Sequence, residues 1–177
     1  MFDEKYDEKL KTYCEPDWTV VPVRYTLNPN KWTRDDRPHE FQYIRQRDFK
    51  GKGWPEYAQR VNGEKLCDLM TTQGSCWFMH REFFESLGGL DEAHFGTMGR
   101  EAQEVCLKTW LSGGRFVLSR HTWYAHWSKP VEHVISARQD KYKSSQYILE
   151  AFKPGVWSKQ TRSLEWLIQK FSPVPTW

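Results

Sequence analysis

Two glycine pairs, Gly88-Gly89 and Gly113-Gly114, each close a short stretch with helical spacing of apolar residues. Glycine takes the left-handed conformation that ends a helix at little steric cost, so both pairs read as helix stops. The first stretch, Arg81 to Leu87, puts Phe83, Phe84 and Leu87 on one face. The second runs from Arg100 to Leu111. Ahead of them lies "SCWFM", a continuous apolar run of strand length that suits a strand covered on both faces. Behind them lie Arg115 to Ser119 and "HTWYAHW", which read as strand segments. Strand, helix, helix, strand with glycine punctuation predicts an α/β layer fold.

The flanking sequence extends this plan. Phe2, Tyr6, Leu10 and Tyr13 fall close to helical spacing, and "PDWTVVPV" reads as a strand that Pro22 restricts to an end or an edge. Residues 28–65 are polar, charged and rich in Pro and Gly, and read as a long loop with one short helix. Beyond Pro130, the positions Ile135, Tyr142, Gln146, Leu149 and Phe152 predict a helix. "TRSLEWLIQKF" predicts a second, capped by Thr161 or Ser163. The expected organisation is an α/β body over 1–130 and a helical C-terminal extension over 131–177.

Composition sets limits. The 177 residues suffice for one domain with a real core, and 38% apolar against 28% charged residues is the balance of a soluble globular chain. No apolar run approaches the roughly 20 residues of a membrane span. The acidic start "MFDEKYDEKL" is not that of a secretory leader, and the expected location is cytoplasmic. Cys14, Cys67, Cys76 and Cys106 form no C-x-x-C pair and no common zinc spacing, and they read as reduced thiols. A net charge of +3 is too small to argue for nucleic acid. Aromatic residues reach 16%, with 10 Trp; such side chains fill cores, and they also make platforms for sugars and bases.

Few side chains suggest chemistry. Glu101, Glu104 and Lys108 share one helix face, since positions three and four apart are neighbours. A solvated face with carboxylates near the positive helix end explains the two acids without any catalytic role. Alternation along "HTWYAHWS" puts Thr122, Tyr124 and His126 on one side of the strand. A lone strand histidine is ordinarily a hydrogen-bonded structural residue, and no H-E-x-x-H motif accompanies this one. Gly74 and Ser75 precede the apolar run, so backbone can approach a ligand there.

The order of these features carries more than any one of them. "GSCWFMHREFFESLGGLDE" followed by "FGTMGREAQEVCLKTWLSGGRFVLSRHTWYAHWSK" resembles family 2 glycosyltransferases of the GT-A fold. The likeness is to the second, acceptor-side half of the catalytic domain in polypeptide N-acetylgalactosaminyltransferases and related bacterial and phage enzymes. It spans residues 66–129, with a weaker continuation over the N-terminal helix and strand. The fold it implies is a partial GT-A domain, Rossmann-like, with a mixed sheet and flanking helices. The activity it implies is sugar transfer from a nucleotide-diphosphate sugar to an acceptor hydroxyl.

The resemblance also assigns roles. Glu101 meets the sugar or the acceptor hydroxyl, as a general base within hydrogen-bond reach in inverting members. Glu104 supports the site or bonds structurally. His126 completes the shell of Mn2+ or Mg2+, whose charge stabilises the departing diphosphate. Lys129 faces that diphosphate, and Gly74 and Ser75 pass beside the donor sugar.

The chain departs from the pattern in two respects, the first being that it has no Asp-x-Asp or Asp-x-His motif. The nucleotide-binding half of the fold has no counterpart either. The resemblance therefore implies a truncated or split enzyme, incomplete alone, that associates with a chain supplying the other half or with itself through an open edge at "SCWFM". Two other functions compete: a non-catalytic carbohydrate-binding or interaction module, and a nucleic-acid binder using "YIRQRDFKGKGW". The second is disfavoured by its modest, Asp-interrupted charge.

Overall fold

The computed structural model describes residues 1–95, 100–127 and 135–177, with only the backbone of 135–141. The elements in chain order are α1 (Tyr6–Thr12), β1 (Trp18–Asn28), β2 (Thr33–Arg34), β3 (Gln42–Ile44), β4 (Gly51–Gly53), α2 (Pro55–Arg60) and β5 (Leu66–Asp68). They continue with β6 (Phe78–Met79), α3 (Arg81–Ser86), α4 (Glu92–Phe95), α5 (Glu101–Leu111), β7 (Arg115–His126), α6 (Ile135–Ala151) and α7 (Leu164–Lys170).

A mixed sheet runs in the order β2-β1-β7-β5, with β6 also pairing β1. Its centre is the parallel pair β1 and β7, in register from Trp18 opposite Arg115 to Thr26 opposite His126. Val20, Val21 and Val23 in β1 and Phe116, Val117 and Leu118 in β7 are buried. Such β-branched and aromatic runs belong in a sheet covered on both faces. Pro22 does not confine β1 to an edge. The β1–β7 register shifts between Pro22 and Val23, and an irregularity of this kind is where an inner strand tolerates a residue with no N–H to give. "SCWFM" contributes only the two residues of β6. It is not the doubly covered strand its composition suggested, because the central positions are already taken by β1 and β7.

Helix α5 packs on this sheet and is buried from Ala102 to Leu111. Polar groups on its inner side are matched: Thr109 Oγ1 lies 2.8 Å from Thr19 Oγ1, and Trp110 Nε1 donates to Leu69 O at 2.8 Å. Where α5 turns into β7, a side-chain carbon at Gly114 would sit 2.4 Å from Asp17 O and 2.7 Å from the Phe83 ring. Gly114→Ala is expected to cost about 1–3 kcal/mol of stability through forced backbone displacement, read as a lower urea midpoint.

Residues 28–65 are more ordered than a polar loop. They carry β2, the antiparallel β3–β4 hairpin and α2, and they send Phe41, Ile44, Phe49 and Trp54 into the core. The C-terminal helices share that core through Ile148, Phe152, Leu167 and Phe171. Ser163 caps α7 by accepting from Trp166 N. The cysteines are free thiols. Trp54 and Trp110 are buried, whereas Trp32, Trp127 and Trp177 are exposed. No helix among the described residues is long and apolar enough to cross a membrane.

Candidate active site

Glu101 opens α5 and lies against the backbone of Gly74. A side-chain carbon on Gly74 would stand 3.0 Å from Glu101 Oε1 and 3.2 Å from its Cγ. A methyl at 74 would press on the carboxylate and push it a few tenths of an ångström off this turn. Together they line a cavity of about 250 Å³ with Gln42, Lys50, Gln73 and Arg100. Burial lowers the Arg100 pKa, and its guanidinium donates to Ser145 Oγ at 2.7 Å.

Ser75, the next residue, connects this cavity to the central sheet. Its Oγ lies 2.6 Å from Tyr124 Oη on β7. Burial raises the Tyr124 pKa, while the Ser75 bond opposes the shift. His126 stands two residues further along the same side of β7, opposite Thr26 at the carboxyl ends of the parallel pair. Ligands of open α/β sheets bind at such strand ends. The His126 Nδ1 is buried and has no hydrogen-bond partner among the described residues. Burial, then the Arg24 guanidinium and the N-terminal amine, pull its pKa down, so the ring is neutral at pH 7.

Glu104 does not join Glu101. It is 1% exposed, 2.5 Å from Lys108 Nζ, and it accepts from Asp91 N at 2.9 Å. Lys108 also donates to Gly89 O at 2.7 Å. Burial raises the Glu104 pKa against the opposing pull of Lys108. The pair borders a different cavity, of about 570 Å³, walled by Leu87, Phe95, Tyr147, Phe152 and Trp157. Its geometry is that of a buried clamp on the turn from Gly89 to Asp91. The solvated face expected for Glu104 and Lys108 is therefore absent. Lys129, together with Gly99 ahead of Arg100, lies outside the described residues.

The described side chains do not by themselves fit a resident metal. Among the described residues no group of three or more His, Cys, Asp or Glu converges. His126 offers one neutral imidazole, and the charges that shift it, Arg24 and the N-terminus, are cationic. Sequence reasoning missed Gln42, Lys50 and Arg100 beside Glu101, and Tyr124 as the link to β7. Lys50 had a visible signal, a basic stretch broken by Gly51 and Gly53. Nothing local marks Tyr124.

No family model matches the chain, and no curated protein does. Solved structures do. The crystal structure of GalNAc-T7 with UDP, GalNAc and Mn2+ superposes with a TM-score of 0.78 at 13% identity, covering 96% of this chain and 38% of that one. The chain has a GT-A-like fold. At this identity the likeness is one of fold, and the chain spans 38% of the length of the structure it matches. The GT-A-like fold here comprises the parallel β1–β7 pair, α5 laid across it, and the Gly74–Ser75 turn held between Glu101 and Tyr124.

Proposed function

We propose that this chain forms the acceptor-side half of a glycosyltransferase that moves a sugar from a nucleotide-diphosphate donor to an acceptor hydroxyl. The observation that carries this reading is Glu101, laid over Gly74 in a polar cavity that Ser75 ties to the strand bearing His126. In the proposed step the acceptor oxygen bonds to the anomeric carbon, and its proton passes to a Glu101 carboxylate oxygen. The bond from that carbon to the diphosphate breaks, and its electron pair leaves with the diphosphate. Gly74 and Ser75 pass beside the donor sugar, Glu104 holds the helix that presents Glu101, and Lys129 is assigned to the diphosphate. Mn2+ or Mg2+ enters this reading only with carboxylates from the nucleotide-binding half, through His126, and the proton transfer assigned to Glu101 does not run through it.

The test is transfer of labelled sugar from nucleotide-sugar donors, with and without a nucleotide-binding half supplied as a second chain. Label appearing on a glycan only in the completed assembly supports the proposal. No transfer in either case removes it. Gly74→Ala, which presses on the carboxylate and moves it by a few tenths of an ångström, is expected to lower transfer by a factor of about 10 or less, well short of the roughly 100-fold loss that accompanies a 1 Å misplacement. Its thermal midpoint should barely move.

A second reading is a carbohydrate-binding module without catalysis. The amides of Gln42 and Gln73 in the Glu101 cavity favour it. Glycan binding indifferent to Mn2+ and to Glu101→Gln would select that reading.

A further inference from the structure

We infer that the acceptor reaching the Glu101 cavity is an acidic glycan, gripped by the β3–β4 hairpin. This rests on the reading of that cavity as an acceptor site and names the acceptor's chemistry. Residues 28–65 hold nine Lys and Arg against six Asp and Glu, so the whole net charge of +3 resides in this segment. Between 37 and 53 both carboxylates are already committed. Asp48 is paired with Arg45, and Glu40 takes two bonds from Arg120, at 2.7 and 3.0 Å. Arg37, Arg47, Lys50 and Lys52 remain, all exposed and none within ion-pair distance of a carboxylate among the described residues.

Two of these cations border cavities that adjoin at Gln42. Lys50 lines the Glu101 cavity. Arg37 lines a second cavity of about 380 Å³, and Gln42 borders both. Lys52 sits in the middle of β4 opposite Tyr43, two residues beyond Lys50. A polyanion lying across the hairpin would meet Arg37, Lys52 and Lys50 on its way to Glu101.

Charge alone would also suit nucleic acid, but the rings of the β3–β4 hairpin do not; the exposed Trp32 lies on a separate turn. Phe41, Phe49 and Trp54 are 6%, 5% and 2% exposed, and Tyr43 packs edge-on against Trp54 at 5.8 Å. No ring on the hairpin is presented for base stacking, on which single-strand binding depends. Around the Glu101 carboxylate the cavity is lined by the amides of Gln42, Gln73 and Gln103, by Thr72 and by the cations Lys50 and Arg100, a set that suits hydroxyls near Glu101 and a carboxylate near the cations.

The experiment measures binding to the full chain by calorimetry without any donor, so it is independent of transfer activity. The probes are a hyaluronan oligosaccharide with one carboxylate per disaccharide, a neutral dextran of equal length and single-stranded DNA. Hyaluronan should bind, with affinity falling as salt rises from 50 to 200 mM, roughly the range over which such contacts are screened. Lys50→Ala with Lys52→Ala should weaken it about 10-fold, the scale of two lost exposed charge contacts. Lys31→Ala, on another turn, should leave it unchanged. Equal binding of dextran, tighter binding of DNA, or an unaltered double variant would each overturn the inference. Hyaluronan binding without transfer to any glycan would leave it standing while removing the transferase reading.

Discussion

Glu104→Ala is expected to lower the free energy of unfolding by about 3–5 kcal/mol, the range for stripping one partner from a buried ion pair. Glu104 and Lys108 are 1% and 8% exposed and 2.5 Å apart, so the alanine leaves an ammonium inside the protein with, among the described residues, Gly89 O to meet it. The Asp91 N–H loses its acceptor as well. Glu104→Gln keeps an oxygen for Asp91 N and removes only the charge, so it should cost less. Replacing both members by apolar residues of similar volume, Glu104→Leu with Lys108→Met, should recover much of the loss, because no isolated charge is then buried. Urea denaturation followed by tryptophan fluorescence reads all three variants. A cost below about 1 kcal/mol for Glu104→Ala would mean that the pair is solvated, and the clamp on the Gly89–Asp91 turn would have to be abandoned.

The same helix shows what local pattern reveals and what it hides. The limits of α5 follow from residues next to them, with Gly113-Gly114 as the stop, and β7 follows from its apolar run. The environment of α5 does not. Glu101, Glu104 and Lys108 look like a wet face because three charges align, but segments far along the chain cover that side: Tyr147, Phe152 and Trp157 wall the cavity beside Glu104. A helix cannot encode in its own periodicity what a segment forty residues later will lay upon it.

Residues 28–65 failed for a related reason. Phe41, Ile44, Phe49 and Trp54 are diluted among charges and show neither period, yet each is buried. The α/β architecture and GT-A-like fold were legible because glycine punctuation and strand composition are local signals. The approach of Glu101 to Gly74 joins residues 27 positions apart in sequence, and the Ser75–Tyr124 bond spans 49. Only the folded chain displays either. Pro22 inverted its usual meaning, since the register shift beside it lets an inner strand carry it.

Glu101→Gln is expected to act oppositely to Glu104→Ala, leaving the fold intact and stopping the chemistry. Glu101 sits at the start of α5, where losing its charge removes a helix-end interaction of about 0.3–1 kcal/mol, so the thermal midpoint should shift little. The amide retains the shape of the carboxylate against Gly74 but cannot take a proton. General base catalysis is typically worth about 10²–10⁴-fold, and transfer should fall by that factor with acceptor KM nearly unchanged. The decisive measurement is the single-turnover transfer rate of the natural sequence and of Glu101→Gln, each assembled with the same nucleotide-binding half and acceptor. A loss of about 100-fold or more at unaltered stability is the expected result. Rates equal within a few-fold would contradict it, and Glu101 would then be no more than the first residue of a buried helix.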